Sequence, residues 1–109
     1  MAQHITGKGE FKFLGWNALE LDANVDWETG KMTGYGKMKM KIKWLTYNFA
    51  ESSHAEKNAD GSMTFYADLE SQFGNGTLPA HITAQPDGTF TGDANIKGLE
   101  LLMKGKLDL

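Results

Sequence analysis

Apolar and polar residues alternate along most of the chain, the pattern of strands that bury one face. In segment 19–27 every odd position, from Leu19 to Trp27, is apolar, and every even position is acidic or asparagine. No segment shows a convincing 3.6-residue apolar period over ten or more positions. The pattern therefore predicts an all-β protein in which helix is close to absent.

Turn signals divide the alternating runs into eight predicted strands. The clearest signals are Gly15, segment 28–31, segment 58–61, Asn75-Gly76 and Pro86-Asp87-Gly88. After Trp44 the alternation changes phase, and we expect a bulge or turn near Leu45. The predicted strands cover about 3–14, 16–27, 32–44, 47–56, 62–73, 78–84, 90–96 and 99–107.

Eight consecutive antiparallel strands with short connections predict one domain over residues 1–109, folded as an up-and-down eight-stranded β-barrel. Closure removes the exposed edge strands that would otherwise pair with other chains. The interior of such a barrel is either filled by side chains or holds one small ligand. A two-sheet β-sandwich uses the same alternation and stays open as the alternative.

The segment Met32–Trp44 carries a lysine at every second position from Lys37 to Lys43. If the turn at 28–31 pairs Trp27 with Met32, Lys37 faces Asp22 and Lys39 faces Glu20. Such cross-strand ion pairs contribute about a few tenths of a kcal/mol each and mark a solvated outer wall. Binding of this row to an anionic membrane or nucleic acid is the alternative. The lack of arginine and of interleaved exposed aromatic residues argues against nucleic acid.

The opposite faces of the strands carry large apolar residues interspersed with glycines. Methionine adapts to irregular cores and to apolar ligands alike, and inward glycines either bend a small barrel or leave room. A filled core and a ligand cavity therefore both remain open. The candidate lumen residues are Phe11, Phe13, Leu21, Trp27, Gly34, Gly36, Met38, Met40, Trp44, Phe65, Phe90 and Met103.

Composition removes several classes of site. The chain has no cysteine, which excludes disulfides and thiolate metal sites, and its 11 basic residues are all lysine, which disfavours bidentate anion recognition. The net charge of -3 suggests no partner of either sign. No run approaches the roughly 18 apolar residues of a transmembrane helix, and no signal peptide is visible. We therefore expect a cytoplasmic protein or the mature form of an exported, periplasmic one.

We expect no catalytic centre, cofactor or metal. The three histidines lack metal-ligand spacing, and Ser53, His54 and Glu56 offer the residue types of a hydrolase without a nucleophile elbow. A small barrel cyclase acting on an apolar substrate is the enzymatic alternative. It would need a polar group in the lumen, for which Ser71 and Tyr47 are the candidates.

Residues 87–109 carry the elements Thr91-Gly92-Asp93 and Ile96-Lys97-Gly98. This segment resembles the closing hairpin of the YceI-like lipid-binding barrels and, more broadly, the chain resembles the lipocalin-like (calycin) barrels. The resemblance implies a non-catalytic barrel that sequesters an isoprenoid or fatty-acyl chain. A barrel with a structural or interaction role is a further alternative, and outward Tyr35, Tyr66 and Leu102 would then serve a homo-oligomer.

Overall fold

The computed structural model describes residues 2–71, 76–96 and 98–109, with the backbone alone described at Ser71. In these residues all regular secondary structure is β, as predicted. The strands are β1 Ala2–Lys12, β2 Trp16–Asp26, β3 Met32–Met40, β4 Lys43–Phe49, β5 His54–Lys57, β6 Met63–Ser71, β7 Thr77–Ala84, β8 Thr89–Ile96 and β9 Leu99–Asp108. Asn75 of the predicted hairpin turn and Lys97 of the predicted last turn lie outside the described residues.

The strands form one closed antiparallel sheet. Each of β1 to β3 pairs with the next strand, each of β5 to β8 does the same, and β1 also pairs with β9. A pairing of β4 with β6 joins the two edges and closes the ring. The predicted eight-stranded up-and-down barrel is therefore confirmed, with one short extra strand, and the ring leaves no division into two sheets.

The extra strand arises because the predicted fourth strand, 47–56, is interrupted at residues 50–53. The two pieces, β4 and β5, both run alongside β6. The Ala50 backbone N–H donates to the Asp68 carbonyl (2.8 Å), and the Asp68 N–H donates to the Ser53 hydroxyl (2.9 Å). Ser53 is buried, so these bonds satisfy polar groups that the interruption removes from the ladder.

The predicted third strand, 32–44, is correct as far as Met40 and wrong beyond it. β3 ends at Met40, and a two-residue turn of Lys41 and Ile42 leads into β4, so that Met40 pairs with Lys43. Lys41 has φ of 58°, a left-handed value that two-residue hairpin turns use. Trp44 pairs with Lys39 and is 40% exposed, so its assignment to the lumen is also wrong: the hairpin places it on the outer wall.

The predicted pairing of the lysine row is also shifted. Met32 pairs with Val25 rather than with Trp27, which places Lys37 opposite Glu20 and not opposite Asp22. The cause is a tight turn that begins at Asp26, whose carbonyl accepts a hydrogen bond from the Gly30 N–H (2.7 Å).

Trp27 leaves the ladder at this turn and covers one end of the barrel. Its indole N–H donates to the Gln3 side chain (2.8 Å), and its ring meets Phe65 edge-on with 6.2 Å between centroids. The Lys57 ammonium lies over the same indole, 4.8 Å from its centroid. We call this end, with the turns at 27–31, 58–62 and 85–88, the closed end. The opposite end, with the turns at 13–15 and 41–42 and Gly98, is the open end.

Glycines inside the barrel mainly allow close approach of neighbouring strands. A Cβ at Gly105 would lie 2.4 Å from the Lys8 carbonyl oxygen and 2.7 Å from the Phe90 ring. A Cβ at Gly36 would instead meet the end of the Leu21 side chain at 3.4 Å and the Glu20 carbonyl oxygen at 3.9 Å, both ordinary contact distances. Gly105 thus allows neighbouring strands to approach each other closely, whereas Gly36 leaves free space inside the barrel.

We therefore predict opposite effects of the same substitution at these two positions. Gly105→Ala should lower the free energy of unfolding by about 1–3 kcal/mol, because the added methyl overlaps backbone and ring atoms. Gly36→Ala should leave it unchanged or raise it by up to about 1 kcal/mol, because it restricts the unfolded chain. Thermal unfolding followed by circular dichroism measures both, at roughly 4–8 °C per kcal/mol. Equal melting temperatures would contradict the assignment.

Candidate functional site

The centre of the barrel holds a small apolar cavity of about 50 Å³. Among its described lining residues, Tyr47 is the one with a polar side-chain group. A cavity of about 150 Å³ is needed to hold benzene, and sites for drug-sized ligands are about 300–1,000 Å³. The centre of the barrel is thus nearly filled by its own side chains.

A larger cavity of about 160 Å³ lies at the open end. Its size matches a single ring or a short hydrocarbon. Its lining is apolar except for the phenol of Tyr47 and combines residues of the turn after β1 with those of β3, β4, β8 and β9. The lining residues are Phe13, Met38, Met40, Leu45, Tyr47, Ile96, Leu99 and Leu101.

Met38 and Tyr47 line both cavities and therefore form the partition between them. They lie on adjacent strands, where Tyr47 pairs with Gly36 and Met38 pairs with Leu45. The missing side chain at Gly36 leaves space over the strand beside the Tyr47 ring. Methionine has three flexible side-chain bonds, so a rotation of Met38 is the smallest change that would join the two cavities.

Most of the predicted lumen residues border one of these cavities. Five of them border the central cavity, and two more border only the open-end cavity. The five are Leu21, Gly36, Met38, Phe65 and Met103, of which Met38 borders both cavities, and the two are Phe13 and Met40. Sequence reasoning assigned Leu45 to a bulge, but the hairpin turns its side chain inward.

Other predicted lumen residues have structural roles. Phe11 and Phe90 are fully buried in the core and border neither cavity. Trp27 covers the closed end. Gly34 has φ of 131°, and a Cβ there would lie 2.1 Å from the Asp22 carbonyl oxygen. A large residue at position 34 would therefore distort the strand rather than fill the lumen.

The residue types of a hydrolase do not form a catalytic arrangement. The Ser53 hydroxyl is buried and accepts the Asp68 N–H, whereas His54 lies exposed on the outer wall, stacked on Tyr66 with 4.7 Å between ring centroids. The described residues also contain no group of three His, Asp or Glu placed to hold a metal. The side chain of Ser71, one candidate for a polar lumen group, lies outside the described residues.

Two carboxyl groups with lowered pKa values lie in turns of the closed end. Hydrogen bonds from the Ser62 hydroxyl and N–H lower the pKa of Asp60, and the Thr89 N–H lowers the pKa of Asp87. Both groups hold turns together and lie away from the two cavities.

A shallow groove of about 410 Å³, lined by both charged and apolar residues, crosses the outer wall over β9, β1, β2 and β3. Its basic and acidic lining residues are equal in number, so its charge favours neither an anion nor a cation. They are Lys8, Lys37 and Lys106, and Glu20, Asp22 and Asp108.

Comparison of the chain with protein-family models, with curated proteins and with solved structures finds no match. The described part of the chain contains no helix of the length and apolar character needed to cross a bilayer. The cavities and surfaces of the barrel are therefore the basis for a functional assignment.

If Met38 separates the two cavities, a shorter side chain at this position should allow a small aromatic molecule to bind. Met38→Ala should join the two cavities and allow benzene or toluene to bind, while lowering the free energy of unfolding by about 2–5 kcal/mol. Met63→Ala is the matched control, because Met63 is also buried but borders neither cavity. The measurement is the rise in melting temperature on adding the aromatic compound. A similar rise in both variants would show that the partition is not at Met38.

Proposed function

We propose that the protein binds an apolar small molecule or the hydrocarbon tail of a lipid inside the barrel, admitted through the open-end cavity. The observation that carries the proposal is that two apolar cavities lie on either side of one partition, formed by Met38 and Tyr47. Trp27 covers the closed end of the barrel, so a ligand would enter through the open end. The resemblance of residues 87–109 to lipid-binding barrels of the YceI type agrees with the same assignment.

The energetics require the partition to move. Each buried methylene contributes about 0.8 kcal/mol, and a micromolar Kd corresponds to about 8.2 kcal/mol. About ten buried carbons are thus needed even before the costs of association are subtracted. A cavity of 160 Å³ holds fewer than that, so a tightly bound tail must displace Met38 and Tyr47 and extend into the centre.

This argument predicts a dependence on chain length. Across unbranched fatty acids and alcohols of 6 to 14 carbons, the affinity should rise about fourfold per carbon and then level off when the lumen is full. Native mass spectrometry and displacement of a fluorescent fatty acid measure the series. Met40→Trp should lower the affinity at every length by at least about tenfold, because the indole fills the open-end cavity.

The matched control is Thr83→Trp, which adds the same indole to an exposed position on β7. It should leave binding unchanged. If no adduct forms at any length, or if Met40→Trp binds like the unmodified protein, the lumen is not the site and a filled barrel with a structural or interaction role is favoured.

Because Tyr47 has a phenol, we predict that its removal affects the binding of ligands with a polar head group and not that of hydrocarbons. Its phenol is the polar side-chain group available in the described lining. Tyr47→Phe should weaken binding of alcohols by about 3- to 10-fold, the value of one hydrogen bond, and leave binding of a hydrocarbon unchanged. The cyclase alternative would use the same phenol as a proton donor. In that case Tyr47→Phe would abolish turnover of an apolar substrate while the substrate still bound.

A further inference from the structure

Six large apolar side chains are exposed at or beside the open end. Leu14 and Ile42, in the turns after β1 and β3, are 98% and 95% exposed. Trp16, Trp44, Leu99 and Leu102 surround them, each with about half of its surface in solvent. Among the described residues, the one other large apolar side chain with comparable exposure is Leu109 near the chain terminus. The exposed apolar surface is therefore concentrated at one end of the barrel.

The two most exposed side chains belong to turns with unfavourable backbone conformations. Leu14 has φ of 52°, which is rare for a bulky residue, and Lys41 before Ile42 occupies a left-handed position where glycine is usual. The Asn17 amide donates to the Phe13 carbonyl (2.9 Å) and to the Gly15 carbonyl (3.2 Å), which holds the first turn in place. Leu14 and Ile42 contribute nothing to the core, so folding does not account for them.

The same end of the barrel is rich in lysine. Lys12, Lys39, Lys41 and Lys43 lie in its turns or in the strand residues next to them, and Lys104 of β9 reaches this end through its contact with Trp16. The Lys104 ammonium lies over the Trp16 ring, 4.2 Å from its centroid, so a cation and an indole are in direct contact.

The acidic residues have a different distribution. Glu10, Glu70 and Glu100 lie near the open end, whereas Asp26, Glu28, Asp60 and Asp87 lie in the turns of the closed end. The basic residues beside these four are Lys31, Lys57 and Lys106, and Asp108 at the end of β9 adds a fifth acidic group. The barrel therefore has a basic end and an acidic end, which the net charge of -3 conceals.

We propose that the open end of the barrel docks on the surface of an anionic lipid bilayer. Leu14 and Ile42 insert among the acyl chains, Trp16 and Trp44 lie at the level of the head groups, and the lysines contact lipid phosphates. Amphipathic indoles and lysine clusters next to inserted apolar residues are typical of membrane interfaces. This inference goes beyond the proposed function and stands without it, because it uses the outer tips and not the cavities.

A bilayer fits this surface better than a protein partner does. A stable protein interface covers about 800 Å² on each side with close shape complementarity. The two most exposed apolar side chains, Leu14 and Ile42, project singly from separate turns, and lysines lie next to them. A fluid bilayer accommodates isolated projections without a matching surface, and its anionic lipids complement the lysines.

The test is sedimentation of the full chain with vesicles of phosphatidylcholine alone or with 30% phosphatidylserine. We expect binding to the anionic vesicles that weakens with added salt. Leu14→Gly combined with Ile42→Ser should lower the affinity by about 30-fold or more, because two apolar side chains no longer insert. Lys41→Glu combined with Lys43→Glu should lower it by at least about 25-fold, since each lysine near the surface contributes about fivefold.

The controls use equivalent changes elsewhere. Leu109→Ser removes an exposed leucine outside the open end, and Lys31→Glu reverses a charge at the closed end. Both should bind like the unmodified protein. Lipids brominated in the acyl chain should quench Trp16 and Trp44 but not Trp27, so Trp16→Phe with Trp44→Phe should remove the quenching.

The two proposals can fail separately. Met40→Trp fills the open-end cavity but should retain vesicle binding. The docking proposal is overturned if the unmodified protein does not bind anionic vesicles, if the Leu14 and Ile42 variant binds them equally well, or if these two residues are instead needed for self-association measured by analytical ultracentrifugation. Vesicle binding with no uptake of free fatty acids would support docking and refute the proposed lumen function.

Discussion

Closure of the sheet between β4 and β6 is the interaction on which the rest of the structure depends. The seam consists of three residue pairs, from Tyr47 with Ser71 to Phe49 with Leu69, and is continued by β5 on the same side of β6. The hydrogen bonds of Asp68 with Ala50 and Ser53 bridge the interruption between the two pieces. Without this seam the barrel would be an open sheet with two unpaired edges and an exposed apolar face.

Closure with eight strands also sets the size of the lumen. An interior this narrow is almost filled by the side chains that its own strands direct inward, which explains a central cavity of only about 50 Å³. Gly105 does not enlarge it, because the Phe90 ring occupies the space above that glycine. A function in the lumen therefore depends on movement of Met38 and Tyr47, and the methionine supplies a side chain suited to that movement.

The two ends of the barrel differ in chemistry, and one turn links the two proposals. Trp27 covers the closed end, whereas the open end has both the larger cavity and the exposed apolar side chains. Phe13 lines that cavity, and its neighbour Leu14 points into solvent. If the open end docks on a bilayer, the cavity opens toward the acyl chains. A lipid tail would then pass into the barrel without crossing water.

Sequence reasoning failed in the same places that define the docking surface. Ile42 and Trp44 are apolar and continue the alternation of β3, so they suggested a strand that runs on to residue 44. The structure turns at residues 41 and 42 and leaves both side chains exposed. Positions where the local sequence pattern disagrees with the fold are often functional, because the residue there does not contribute to folding.

The sequence by itself determined the all-β class, the faces of most strands and nearly all of the turns. These features follow from local chemistry: side chains alternate with a period of two, and glycine, asparagine and aspartate allow tight turns. Tertiary structure alone decided the register of β2 and β3, the interruption of the fourth strand, and the volume of the lumen. The register follows from the turn that the Gly30 N–H closes on the Asp26 carbonyl, and the interruption from contacts between distant residues such as Ser53 with Asp68. Alternation along one strand is compatible with several such pairings, so it does not select among them.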